Sequence, residues 1–192
     1  MPRLEPIDEP RGLMARYAYW MTKRQFGKVI TPLKVVYARV PESFQLGYRM
    51  SMFVEKGMKL ESDLKFLVQT LVSSINDCAF CVDFAEHRAT RMKMGVEKAR
   101  SIRSYRTNTA FTARERAALA YAEEATQHKR VSDDTFATLR EHFNERETVE
   151  LTMLIAIDNY YNLINIPLEI ESDGFCSLPI GHHSEKAVKA ES

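Results

Sequence analysis

Ser73–Gly95 reads SSINDCAFCVDFAEHRATRMKMG and holds two of the chain's three cysteines, Cys78 and Cys81, three positions apart. The run leading into it repeats apolar residues at three and four, the period of an amphipathic helix: Leu60, Leu64, Leu67, Val68, Leu71, Val72 and Ile75. Asn76-Asp77 breaks that run with two polar residues, either of which can cap a second helix by accepting a bond from a free backbone N–H. Cys78 then falls at about the first helical position and Cys81 at about the fourth, so both sulfurs share one face. Two helices in series around a cysteine pair set the expectation of an all-α fold.

A thiol in the first turn of a helix feels the positive end of the macrodipole, which favours thiolate, the form that attacks peroxides and disulfides. Asp77 and Asp83 act in the opposite direction, because nearby negative charge disfavours a second anion. The sequence leaves the sign of the balance open.

The flanking chain is helical by the same signals. Residues 1–12 place Pro2, Pro6 and Pro10 among charges, which suits an extended arm rather than packed structure. Leu13 to about Phe26 reads as a packing helix, Pro32 opens a short helix ending before Pro41, and Pro41 opens another running to about Gly57. The CxxC helix is expected to end near Gly95, with a short basic helix from Val96 to about Tyr105. Thr112-Ala113-Arg114-Glu115 is a capping box opening a helix over about 113–127. Ser132 caps the next, to about Phe143, with Asn144 able to close it. A long helix then spans about Glu145 to Asn165, and its nearly all-apolar middle, Leu151–Ile157, is expected to be deeply buried. No stretch alternates with the period of a strand. One helical domain over 13–175 follows, with its CxxC core at about 60–105 and an irregular to disordered tail at 176–192.

Composition narrows the function. With 27 Lys plus Arg against 26 Asp plus Glu, the formal charge is +1, and the basic residues Lys23, Arg24, Lys28, Lys34 and Arg39 are dispersed as on a solvated face. Nothing here calls for nucleic acid or an anionic membrane. No apolar run reaches the roughly 18 residues that span a bilayer, and no secretory signal is visible at the N-terminus, so a cytoplasmic location is expected. In that compartment a CxxC is more often redox or metal chemistry than a structural disulfide.

Zinc would need about four ligands, and Cys176, His87, His128, His142, His182 and His183 offer no ligand spacing to complete the pair. A thioredoxin-like site would need a βαβ pattern, which is missing. Two cysteines can also be small core residues. A pair at a helix start in a cysteine-poor chain points instead to redox work, in which the second thiol resolves a sulfenate on the first. His87 lies six residues after Cys81, about 240° round an ideal helix, and so projects away from the sulfur face. Glu115 is already explained as the acid of the capping box. No cofactor or metal is expected.

Three segments in order, SINDCAFCVDFAEHRA (74–89), FTARERAALAYAEEAT (111–126) and LIAIDNYYNLINIPL (154–168), make residues 40 to 175 resemble the alkyl hydroperoxidase AhpD / carboxymuconolactone decarboxylase superfamily. The resemblance implies helix hairpins assembled into homo-oligomers, trimers or hexamers more often than dimers. For the AhpD branch it implies an antioxidant thiol peroxidase, with peroxiredoxin activity, that is re-reduced by a lipoyl or thioredoxin-like dithiol. By position, Cys81 would be peroxidatic and Cys78 resolving, acting on a hydroperoxide or a disulfide. The decarboxylase branch lacks the cysteine pair and acts on a lactone.

The chain departs from the peroxidase pattern at the proton relay. The family's glutamate, twelve residues before the first cysteine, is Phe66 here, and its histidine, four after the second, is Ala85. Neither moves a proton. Replacements to consider are Glu86, His87 and Glu115, or Asn159, Tyr160 and Asn162 of the long helix. The gap keeps two alternatives open: a redox-sensing or non-catalytic oligomer without peroxidase turnover, and a cofactor-free lyase. Cys176 would be an alternative resolving thiol if it lay near the pair.

Overall fold

A computed structural model describes residues 1–90 and 96–175. Within them the chain is helical and holds no strand. The order is α1 (Leu13–Phe26), α2 (Pro41–Met52), α3 (Ser62–Ile75), α4 (Ala79–Ala89), α5 (Val96–Arg100), α6 (Ala113–His128), α7 (Asp133–Arg140) and α8 (Glu145–Asn165). Short π-helical turns at Leu33–Tyr37 and Phe53–Gly57 precede and extend α2.

The central element is α3. Its apolar period puts Leu64, Leu67, Val68, Leu71 and Val72 in the main core, and α6 and α8 pack along it more extensively than any other pair of elements meets. Because both flanks are covered, polar side chains of α3 are buried as well. Lys65 is one, and its ammonium donates to the carbonyls of Val54 (2.7 Å) and Glu55, at the end of α2's extension, where a helix's negative pole suits a cation. A second apolar cluster joins Val35, Phe80, Ile170 and Phe175 and includes the half-buried Cys81 and Phe84.

The capping boxes Thr112/Glu115 and Asn144/Glu147 set the starts of α6 and α8. Asn144 therefore opens α8 rather than closing α7, which ends at Arg140. A side-chain oxygen satisfies the free donors at a helix start and has no such use at a helix end. The expected basic helix to Tyr105 breaks at Ser101 into α5 and one 3₁₀ turn, Ile102–Ser104. The expected α4 end at Gly95 lies outside the described residues, and Ala89 is the last helical residue before them. The middle of α8 is not wholly buried either. Leu151, Leu154 and Ile155 are core, whereas Thr152, Met153 and Ala156 face outward, since a straight helix against one neighbouring layer can bury only one side.

Residues 1–12 are extended but laid against the body. Arg3 N–H donates to the Leu168 carbonyl, Ile7 N–H to that of Lys34, and the Tyr19 hydroxyl to that of Ile7. The segment after α8 folds back across α4. Asp173 accepts from the backbone N–H (2.8 Å) and hydroxyl (2.7 Å) of Thr31 and pairs with Lys28, and Asp83 of α4 accepts from the Ser172 hydroxyl and the Phe175 N–H. This lays Phe175 against Phe26, Phe80, Phe84 and His87. The expected tail at 176–192, with Cys176, lies outside the described residues.

Candidate functional site

The junction between α3 and α4 makes the site. Asn76 closes α3, Asp77 takes a left-handed backbone (φ 53°), and Cys78 becomes the residue just before α4. Neither Asn76 nor Asp77 caps α4 with its side chain, contrary to the sequence expectation. The tight reversal turns them elsewhere: the Asn76 amide reaches α8, and Asp77 stands exposed, ion-paired to Arg103 at 3.6 Å. Cys81 lies in the first turn of α4. The two cysteines are joined as a disulfide, with their Cα atoms 5.3 Å apart.

The pair is not symmetric. Cys78 is 1% exposed and enclosed by protein, whereas Cys81 is half-buried and forms part of the wall of a cavity of about 310 Å³. Most of that wall is apolar or aromatic, with Phe44, Phe66, Phe80, Phe84 and Tyr161 among its side chains.

Helix α8 supplies the polar part. Asp158, Asn162 and Asn165 are four and three apart, on one face that looks toward α3 and α4. The Asn162 and Asn165 amides each donate to the Cys81 sulfur at 3.4 Å, and Asn165 also approaches the Cys78 sulfur at 4.0 Å. The Asn162 amide is held in that orientation because its carbonyl oxygen accepts from Asn76 at 3.0 Å. In the reduced pair, two N–H donors and the start of α4 would favour a negative sulfur. Asp83 is committed to Ser172 and Phe175.

Asp158 is buried and belongs to the same cavity wall as Cys81. It accepts from the Ser73 hydroxyl at 2.9 Å and lies 3.5 Å from the Asn162 amide, which also reaches the Ser73 oxygen at 3.3 Å. Burial pushes its carboxyl up to about 7, against the opposing pull of the Ser73 and Asn162 hydrogen bonds and of Arg88.

Phe66 and Ala85 do line the cavity and pack in one apolar cluster. Of the six residues considered as relay groups, four lie elsewhere among the described residues. Glu115 is bound by Lys98 at 2.7 Å and by its own capping box, Glu86 approaches Arg100, His87 packs against Phe26 and Phe175, and Tyr160 sits edge-on to Tyr161. Asn162, named with them, lies against the Cys81 sulfur, and Asn159 accepts from the Asn76 amide at 3.0 Å. Asp158, Ser73 and Asn165 were not singled out from the sequence. A legible signal existed in the i, i+4, i+7 spacing of Asp158, Asn162 and Asn165 along a helix otherwise rich in core residues.

Residues 41–124 match the model of the carboxymuconolactone decarboxylase family. The uncharacterized protein YnjA of Escherichia coli (strain K12) is 30% identical over 172 residues, 87% of this chain and 92% of its own length. The chain belongs to the carboxymuconolactone decarboxylase family. Within that family its fold is AhpD-like. A protein of unknown function from Agrobacterium tumefaciens, whose suggested role is antioxidant defence as AhpD, superposes with a TM-score of 0.67 at 28% identity, covering 72% of this chain and 96% of that one. The debrominase Bmp8, as a cysteine-to-alanine variant in complex with 2,3,4-tribromopyrrole, superposes with a TM-score of 0.78 over 90% and 92% of the two chains. At 18% identity that likeness concerns the fold alone.

Proposed function

We propose that this chain is a dithiol oxidoreductase that reduces an apolar organic hydroperoxide at Cys81, with Cys78 as the resolving thiol and an external dithiol, lipoyl or thioredoxin-like, as reductant. The observation that carries the proposal is the asymmetry of the pair: Cys81 faces an aromatic-walled cavity under two amide donors, and Cys78 is enclosed within bonding distance behind it. In the reaction, the Cys81 thiolate attacks the terminal oxygen of ROOH and the O–O bond breaks. Cys81 becomes a sulfenic acid, and the alkoxide takes a proton to leave as ROH. The Cys78 sulfur then displaces hydroxide, released as water, and the disulfide forms. The external dithiol returns the pair to thiols and is itself oxidised to its disulfide.

The test is a count of free thiols in the reduced protein before and after one equivalent of cumene hydroperoxide. The wild type is expected to lose two thiols within seconds and Cys81→Ser none. Cys78→Ser should lose one, to a sulfenic acid that dimedone traps. Equal residual turnover in both variants would overturn the assignment of roles, and no loss in the wild type would return the chain to the redox-sensing or lyase readings.

A second reading is favoured by the aromatic wall, which fits a flat ring, together with the fold shared with a debrominase. A thiolate can also take a bromine from an aromatic ring; the ring carbon then gains a proton, Cys78 closes the disulfide and bromide leaves. Bromide release from a bromopyrrole in the presence of dithiothreitol, exceeding turnover of cumene hydroperoxide, would select this reading.

A further inference from the structure

Reduction at Cys81 moves a proton twice: the thiol must lose one, and the departing alkoxide must gain one. The positions that would do this in the family pattern are filled by Phe66 and Ala85, which face the same cavity with apolar groups. The described wall of the cavity contains two carboxyls, Glu55 and Asp158. Glu55 is half exposed and paired with Arg88 at 3.1 Å, toward solvent. Asp158 is buried on the Cys81 side, one hydrogen bond from Ser73, whose side chain also lines the cavity. Asn162 ties the group together, its amide nitrogen lying 3.3–3.5 Å from the Ser73 hydroxyl, the Cys81 sulfur and Asp158.

Resting on the thiol-oxidoreductase reading, we infer that Asp158 and Ser73 stand in for the missing relay, Asp158 holding the proton that Cys81 gives up and Ser73 passing it to the leaving oxygen. Ser73 is the group placed to touch substrate. Asp158 acts through it and is a positioning residue for that proton. The balance is complete without a further reactant: the thiol proton goes to Asp158, and from there through the Ser73 hydroxyl to the alkoxide, which leaves as the alcohol.

The other ionisable groups around the carboxyl do not replace it. Burial pushes Tyr161 up to about 12 and Tyr37 higher still, so neither takes a proton near neutrality. Arg88 carries a fixed positive charge and, with Ser73 and Asn162, holds the Asp158 proton less tightly than burial alone would. The balance leaves Asp158 at about 7, suited both to accept and to release a proton at neutral pH.

The experiment measures the rate of Cys81 loss against pH for wild type and Asp158→Asn, once with cumene hydroperoxide and once with iodoacetamide. Alkylation needs a thiolate but no proton on its leaving iodide. The wild type should show an inflection near pH 7 with both reagents, and Asp158→Asn should lose it. At neutral pH the variant should react with hydroperoxide about 100-fold more slowly. At about pH 10, where the thiol is ionised in either protein and Asp158 holds no proton to give, the two proteins should react alike with either reagent. An unchanged profile in the variant, or equal slowing of both reagents at every pH, would overturn the inference. A wild type that ignores hydroperoxide yet keeps an Asp158-dependent inflection in alkylation would sink the peroxidase reading and retain the coupling of Asp158 to Cys81. Should the variant fail to fold, carbon-13 titration of the aspartate carboxyls in the reduced wild type decides: one should titrate near pH 7, and all of them titrating below about pH 5 would overturn the inference.

Discussion

Asn162 presents its N–H₂ to the Cys81 sulfur because Asn76 occupies the other end of its amide. A donor held in place by a neighbour stabilises a thiolate without having to reorient when charge appears. Replacing Asn162 with alanine should therefore lower the alkylation rate of the reduced protein at pH 7 by about tenfold, the effect of one hydrogen bond to a charged group. The rate at high pH should be unaffected, and iodoacetamide kinetics at two pH values measures both. At this scale the sequence was only partly readable. The cysteines announced themselves by spacing, and Phe66 and Ala85 by what they cannot do. Asp158 lay hidden because an isolated acid on a helix reads as solvated, and only the burial of α8 against α3 makes it a site residue.

Elements divide in the same way. Capping boxes are local chemistry, so α6 and α8 begin where Thr112 and Asn144 indicate. The extent to which a helix is covered is set by its neighbours, and so Met153 and Ala156 face outward although their segment is apolar. The fold-back of residues 169–175 over α4 could not be read from its composition, because it depends on contacts made more than eighty residues apart in sequence. Two carboxylates pin it, Asp83 at one point and Asp173 at another. Asp173→Ala removes the acceptor for both Thr31 bonds and is expected to destabilise the protein by roughly 1–3 kcal/mol. Amide hydrogen exchange at Phe175 should speed up with it, and unaltered protection there would mean that the fold-back does not depend on Asp173.

The whole molecule titrates at two ends. Asp158 holds its proton more tightly folded than unfolded, so its stabilising contribution is present below the ordinary carboxyl range and is lost as pH rises through about 7. Glu150 behaves oppositely. Burial opposes its charge, but hydrogen bonds from the Lys59 N–H, Arg146 and the Leu60 N–H outweigh burial and hold it below its usual value, so its contribution is lost as pH falls. Between pH 5 and 8 the wild type should lose at most about 3 kcal/mol that Asp158→Asn keeps, read from urea unfolding of both proteins at the two pH values. The architecture itself was legible in advance, because three helical motifs in fixed order constrain a bundle more tightly than any one of them. The unequal exposure of the two sulfurs has a kinetic meaning. In the proposed cycle, with Cys78 walled in by the described residues, a reductant meets the disulfide at Cys81, the sulfur that faces the cavity and the oxidant. On that proposal the two co-substrates would take turns, each excluded while the other or its product is in residence. A slender dithiol on a flexible arm reaches that depth more readily than one set flat in a protein's surface.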